Sequence, residues 1–199
     1  MKVVEDIRRL GGLAKQQQGV FSSADLRAIL ADRHPAAFAR RVDRLMEARA
    51  LRRFLRGWYV AEDFDLATLS QRLAPESYVS FANVLARELL IGPRPERQVM
   101  AVRVGRARRY RAAGFEIVHL GISPDLFFGF GTTDGIQSAD SEKAVLDVLY
   151  FHLRGQRYVF DPFSDIDFSR LDRTRLERYL SRYRNPRFVS FASKLLELA

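Results

Sequence analysis

The chain has 199 residues, 47% hydrophobic and 29% charged, with no cysteine and 33 Lys+Arg against 24 Asp+Glu, a formal charge of +9. That length and apolar content support a buried core in one or two domains, two being favoured by the uneven charge described below. The absence of cysteine excludes disulfides and thiolate metal sites and fits a reducing compartment.

The first fifteen residues, MKVVEDIRRLGGLAK, are interrupted by charge and do not read as a secretory signal, and no stretch approaches the ~18–20 apolar residues of a membrane span. A cytoplasmic protein without a membrane partner is therefore expected. Only Lys2, Lys15, Lys143 and Lys194 are lysines, so nearly all positive charge is guanidinium, which suits bidentate contacts to phosphate and guanine. An Arg-rich coding bias would give the same count. His34, His119 and His152 are widely separated and show no metal-ligand spacing.

Residues 1–60 hold 13 Lys+Arg and 6 Asp+Glu, or +7, leaving +2 for the other 139 residues. Val3, Val4, Ile7, Leu10 and Leu13 recur at helical steps and predict a first helix ending between Gly11 and Gly19. Ser22 or Ser23 can cap a short second helix with Leu26, Ile29 and Leu30 inward. His34 and Pro35 break the chain, and Pro35 suits the first turn of a third helix running to about Ala50. On that helix Phe38, Val42, Leu45 and Met46 form an apolar stripe, with Arg40, Arg41 and Arg44 on the outward arc. Residues 51–55 and 58–60 predict two short strands joined at Arg56-Gly57, with Arg52, Arg53 and Arg56 on or near the tip.

Helix, helix, hairpin is the layout of a winged helix-turn-helix, which makes double-stranded DNA the expected partner. Arginine pairs bidentately with guanine O6 and N7 in the major groove, so Arg40, Arg41 and Arg44 are the expected groove contacts. Arg33 and His34 would assist at the helix start, and Arg52, Arg53 and Arg56 would serve as wing contacts to phosphate. A solvated helix face would carry the same arginines, and winged domains also bind proteins. Agreement of charge sign and spacing across three elements favours DNA.

A polar joint at Asp63 to Asp65 places a domain boundary after residue 61, giving domains 1–61 and 62–199. Helical spacing follows over residues 66–73 and again through Val84, Leu85, Leu89 and Leu90 to Gly92. Period-two patterning then predicts strands at 99–104, 110–111, 115–120 and 127–130, read as a small antiparallel sheet. A helix capped by Asp140 or Ser141 and two more at roughly 169–183 and 187–198 complete an α+β chain. Seven arginines, Arg94, Arg97, Arg103, Arg106, Arg108, Arg109 and Arg111, fall within eighteen residues holding one acid, Glu96. They form either a second basic surface or a solvated hairpin with Val102 and Val104 facing the core.

The segments Gly57-Trp58-Tyr59-Val60, Ser77-Tyr78-Val79-Ser80-Phe81-Ala82-Asn83-Val84-Leu85 and Ser141-Glu142-Lys143-Ala144-Val145-Leu146-Asp147-Val148-Leu149-Tyr150, in that order, resemble the abortive-infection AbiEi antitoxins of type IV toxin-antitoxin systems. The resemblance spans about residues 20–155. It implies an autorepressor that binds inverted repeats in its own promoter, with a C-terminal domain that counters a nucleotidyltransferase toxin without a stable direct complex. A regulator unconnected to a toxin, or a winged module for protein or RNA interaction, are the alternatives.

Enzymatic chemistry is not expected. Asp161, Asp165 and Asp167 could in principle gather a hard cation for a nuclease, but a loop with capping carboxylates is the commoner use of such residues. Glu142 suits the first turn of its helix, where an acid complements the helix dipole. Gly129-Phe130-Gly131 lacks the Lys-Ser/Thr of a phosphate-binding loop, and no Ser, His and Asp set stands out. No catalytic residue, metal or cofactor is assigned.

Overall fold

The computed structural model describes residues 2–32, 34–93 and 95–197; Arg33 and Arg94, both expected at basic surfaces, lie outside the described residues. The chain divides into two compact units, Met1–Leu69 and Ser70–Ala199. Residues 62–69 stay with the first unit for local reasons. Phe64 packs so closely on Gly19 that a Cβ there would lie 2.8 Å from the Phe64 Cα, and Gly19 has a positive φ of 70°. The Ala61 amide donates to the Gly19 carbonyl at 2.8 Å, and the Asp65 amide donates to that of Gln18 at 2.9 Å.

The first unit runs α1 (Lys2–Ala14), β1 (Val20–Ser22), α2 (Ser23–Leu30), α3 (Pro35–Glu47), β2 (Arg52–Leu55) and β3 (Trp58–Val60). Its antiparallel sheet has the order β1-β3-β2. Leu10, Phe21, Leu26, Leu30, Phe38, Val42, Leu45, Leu51 and Tyr59 form one core. Ser22 starts α2 with a capping box, its hydroxyl accepting from the Asp25 amide while Asp25 accepts from the Ser22 amide. Pro35 opens α3, where its missing N–H costs nothing. Strand β1 has no counterpart in the sequence reading, since three residues are too few for an alternation to register.

The expected inner face of α1 needs correcting. Leu10 is buried, but Val4 is 53% exposed and Ile7 is also exposed, whereas Asp6 is 3% exposed. The carboxylate goes inward because Arg41 of α3 is there to meet it in an ion pair.

The second unit begins within α4 (Leu66–Leu73) and continues β4 (Ser77–Val79), α5 (Ala82–Arg87), β5 (Gln98–Val104), β6 (Arg108–Ala112), β7 (Phe115–Ile122), β8 (Phe130–Thr133), β9 (Ile136–Ala139), α6 (Ser141–His152), α7 (Arg173–Leu180) and α8 (Pro186–Glu197). The sheet is not small and antiparallel as expected. It has six strands in the order β6-β7-β5-β4-β9-β8, and the pairs β5/β7 and β4/β9 are parallel. Strands β5 and β6 follow each other in sequence without pairing: the chain leaves β5, crosses β7, runs along the edge as β6 and returns between them. The crossing is made at Gly121, where a Cβ would stand 2.0 Å from the Gly105 carbonyl oxygen. Alternation reports which face a residue occupies but nothing of strand order, so this crossover left no trace in the pattern.

Residues 127–130 are not a strand either. A 3-10 turn at Pro124–Leu126 precedes them, and Phe127 and Phe130 plug the core against Tyr78 at ring distances of 5.1 and 4.7 Å. Strand β8 starts only at Phe130 and turns into β9 through Asp134-Gly135, both at positive φ, the usual chemistry of a two-residue hairpin. Helix α6, capped by Asp140, is buried from Glu142 to Leu149 and is the centre on which α5, α7, α8 and the sheet pack. The whole is an α+β chain with one small antiparallel sheet and one larger mixed sheet. Among the described residues no helix is long and apolar enough to cross a membrane.

Candidate nucleic-acid interface

Helix α3 buries Phe38, Val42 and Leu45 and exposes Arg40 and Arg44, which stand one turn apart on the opposite side. Neither forms an ion pair or hydrogen bond with a described residue. The same outward arc also exposes Asp43 and Glu47, so it is mixed in charge. His34 is exposed at the N-cap; its side chain makes no capping bond, and its amide donates to Asp32 at 3.1 Å.

Arg41 departs from the outward arc on which it was placed. Its Nε donates to Asp6 at 3.0 Å, and its Nη1 donates to the Leu30 carbonyl at 2.7 Å and to Asp32 at 3.4 Å. It lies between the core stripe and the outer face, where a long side chain can fold back. The hydrogen bond and charge of Asp6, with Asp32, raise its pKa against the opposing effect of burial. It ties α1, the α2–α3 turn and α3 together and is a positioning residue.

On the hairpin, Arg52 and Arg56 are exposed and unpaired among the described residues. Arg53 is exposed but leans on Tyr59, with its guanidinium 5.7 Å from the ring and 3.5 Å from the hydroxyl. Gly57, at φ 82°, turns the hairpin, and its carbonyl accepts from the Ser23 amide at 2.8 Å, fixing the hairpin to the start of α2.

The second arginine run is largely consumed within its own unit. Arg103 pairs with Glu76 at 2.5 Å, and both Arg109 and Arg111 reach Glu116, at 2.8 and 2.6 Å. Burial opposes ionisation of Glu116, yet hydrogen bonds from Arg111 and Gln98 and both arginine charges hold its pKa below the ordinary value. Arg97 lies 6.0 Å from the Phe115 ring. Arg106 and Arg108 are exposed and unpaired among the described residues. Strand β6 is a sheet edge, and three arginines in five residues, RRYRA, guard it against pairing with another chain. The segment is not the hairpin expected as the alternative, since β5 and β6 each pair with β7 and not with each other; Val102 is buried and Val104 only partly so.

The loop acids act as turn caps. Asp165 accepts from the Asp161 amide at 2.8 Å, Asp161 from Phe163 at 2.8 Å, and Asp167 from Ser169 at 3.2 Å. Among the described residues no group of His, Asp and Glu is arranged to hold a metal ion. Glu142 is buried and accepts from the Asp172 amide at 2.9 Å and from Arg175 at 3.2 Å, anchoring the start of α7.

The constellation that sequence reasoning missed is buried. Lys143 and Asp147, one turn apart on α6, form an ion pair that is fully enclosed. Asp147 also accepts from the hydroxyls of Tyr78 at 3.1 Å and Ser80 at 2.8 Å, while Lys143 donates to Tyr183 at 3.2 Å and lies 4.9 Å from the Phe128 ring. Burial pushes the Lys143 ammonium down and the Asp147 carboxyl up, each resisted by the other's charge. Tyr78 and Ser80 come from one of the segments that carry the family resemblance, Lys143 and Asp147 from another. A Lys and an Asp four apart among the apolar residues Ala144, Val145, Leu146, Val148 and Leu149 was the available signal.

No protein-family model matches the chain, and no curated protein matches its sequence. Among solved structures it is similar to the RV2827C protein from Mycobacterium tuberculosis, with a TM-score of 0.62 and 16% identity over 94% of this chain and 74% of that one. At that identity the likeness shows the fold alone.

Proposed function

We propose that the protein is a sequence-specific DNA-binding regulator whose first unit works as a winged helix-turn-helix, with α3 in the major groove and the β2–β3 hairpin as its wing. The observation that carries this reading is the exposed set Arg40, Arg44, Arg52 and Arg56, on two elements of one unit, without acidic partners among the described residues. Arg40 and Arg44 contact base edges, and Arg52 and Arg56 contact phosphates. Asp43 and Glu47 on the same arc weaken indiscriminate phosphate binding, and carboxylates can accept from cytosine N4. Arg41 holds the helix in place from behind. The resemblance to AbiEi antitoxins extends the proposal to an autorepressor that binds inverted repeats in its own promoter and counters a nucleotidyltransferase toxin without a stable complex.

The test is an anisotropy titration of the full chain against the DNA upstream of its own gene and against a scrambled duplex. Binding of the upstream DNA should survive competitor. Arg40→Ala/Arg44→Ala should erase the preference between the two duplexes, and Arg52→Ala/Arg56→Ala should weaken both. Equal affinity for the scrambled duplex in the parent protein, or full binding by both double variants, sinks the DNA reading. Co-expression with a neighbouring nucleotidyltransferase examines the antitoxin part separately: failure to relieve its toxicity removes that part and leaves DNA binding standing.

A further inference from the structure

The face of the β5–β7–β6 corner on the α6 side of the sheet carries Gln98 and Met100 beside Glu116 and Val118, with Arg111 and Arg109 next across the sheet. Residues 156–160 fold over this face and close a recess of about 370 Å³, within the roughly 300–1,000 Å³ range of small-molecule sites. Two arginines line it, Arg109 from the edge strand and Arg157 from the covering segment. Arg157 has no ion-pair or hydrogen-bond partner for its guanidinium among the described residues. Glu116 is shared by Arg109 and Arg111, so one carboxylate faces two guanidiniums and the recess stays positive.

The covering segment is also aromatic. Phe81, Tyr158 and Phe160 form a ladder of near-parallel rings, with successive centroids 6.0 and 5.3 Å apart and interplanar angles of 28° and 29°. The inner ring, Phe81, is buried; Phe160, at the outer end, lines the recess, and no further ring stacks on it among the described residues. The Tyr158 hydroxyl donates to the Val148 carbonyl at 3.0 Å, fixing the ladder to α6. An aromatic stack ending at Phe160 in the same recess as two guanidiniums, with Gln98 and Gln156 also lining it, matches a ligand that carries both a flat ring and an anion.

We propose that this recess binds a mononucleotide, with Arg109 and Arg157 taking the phosphate and the base extending the ladder at Phe160. The site lies wholly in the second unit and does not depend on the DNA-binding reading.

The experiment is anisotropy of AMP carrying a fluorescent group on the ribose, titrated with the full chain. Competitors are unlabelled AMP, GMP, CMP, UMP, adenosine, ribose 5-phosphate and inorganic phosphate. Saturable binding is expected, competed better by nucleoside monophosphates than by adenosine or ribose 5-phosphate. Arg109→Ala and Arg157→Ala, both at exposed positions, should each weaken it by about tenfold or more, as expected for loss of a charged hydrogen bond. Lys194→Ala, an exposed charge on α8, should leave it unchanged. In Phe160→Ala the advantage of AMP over ribose 5-phosphate should vanish. No saturable binding at millimolar nucleotide, equal competition by inorganic phosphate, or unaltered affinity in both arginine variants overturns the proposal. So does a single-stranded RNA octamer that binds more than about tenfold tighter with the same arginine dependence, which would assign the recess to a strand instead.

Discussion

Arg40, Arg41 and Arg44 sit within five residues on one helix, yet they have different consequences. Replacing Arg41 with Ala leaves Asp6 buried and unpaired and frees the Leu30 carbonyl, at a cost of roughly 1–3 kcal/mol. Arg40→Ala and Arg44→Ala, at exposed positions without partners, should stay within about 0.5 kcal/mol of the parent. Urea melts of the three variants compare these; equal loss in all three would mean that Arg41 is not a structural tie. The enclosed Lys143–Asp147 pair is a harsher case. Lys143→Met strands a carboxylate in the core and should cost about 3–5 kcal/mol, while Lys143→Met combined with Asp147→Leu should recover much of it. A double variant no more stable than the single one would contradict that account. His119 is buried, bonded through Nε2 to Ser70 at 2.9 Å, and its pKa is pushed down from 6.5 to about 4 by burial and then by the charge of Arg103. It folds neutral, whereas the unfolded chain takes up the proton below 6.5. Stability from this site is therefore complete above pH 6.5, declines as pH falls and is lost by about pH 4. Subtracting the stability curve of His119→Gln from that of the parent should show a slope confined to this window; a flat difference refutes it.

Elements that announce themselves in the sequence are those whose physics is local. A serine cap at 22 or 23, Pro35 at the head of α3, the Arg56-Gly57 turn and a cap at 140 or 141 all follow from backbone groups a few residues apart, and the structure has them, with Ser22 and Asp140 as the capping residues. What failed depends on partners distant in sequence. Strands β1 and β4 have only three residues each, and β4 is buried on both faces, so neither can display alternation. Inward Asp6 is intelligible only once Arg41 is known to be opposite, and the Arg109–Glu116–Arg111 arrangement only once β6 is paired with β7. The Asp134-Gly135 turn is legible in the sequence, but the run of phenylalanines before it carries the stronger apolar signal and hides where β8 begins. The crossover supplies the sharpest test at this scale. Gly121→Ala sets a methyl against the Gly105 backbone, which no rotamer change can relieve, so β7 and the incoming chain must separate. We expect loss of the cooperative unfolding transition of the second unit, or a drop of several kcal/mol in its stability. A Gly131→Ala control, where a Cβ meets nothing within 4 Å, should melt much as the parent does. Equal behaviour of the two variants would remove the crossing as the reason for glycine.

For the molecule as a whole, the charge asymmetry that pointed to DNA changes form once the units are drawn. Residues 1–60 carry +7, but Glu62, Asp63 and Asp65 belong to the first unit, which then has 13 basic and 9 acidic residues, +4, against 20 and 15, +5, in the second. Net charge no longer distinguishes them; what sets the exposed arginines of α3 and the hairpin apart from most of those on β5 and β6 is their lack of carboxylate partners among the described residues. In the second unit Arg103, Arg109, Arg111 and Arg175 are paired with carboxylates, whereas Arg40, Arg44, Arg52 and Arg56 of the first are not paired with described residues. Counterion release counts only cations that reach phosphate, so it can read this difference directly. If Arg52 and Arg56 neutralise phosphates on duplex DNA as proposed, log K should fall against log salt with a slope of roughly −2 per bound chain, steepening toward about −4 where Arg40 and Arg44 also reach phosphate. Removing Arg52 and Arg56 should reduce that slope by nearly 2, at about 0.9 per phosphate. Removing Arg106 and Arg108, two unpaired arginines of the second unit, should leave it unchanged if binding is confined to the first. A slope that falls equally in both double variants would show that the DNA surface extends across both units, and that pairing within the fold is no guide to which arginines meet phosphate.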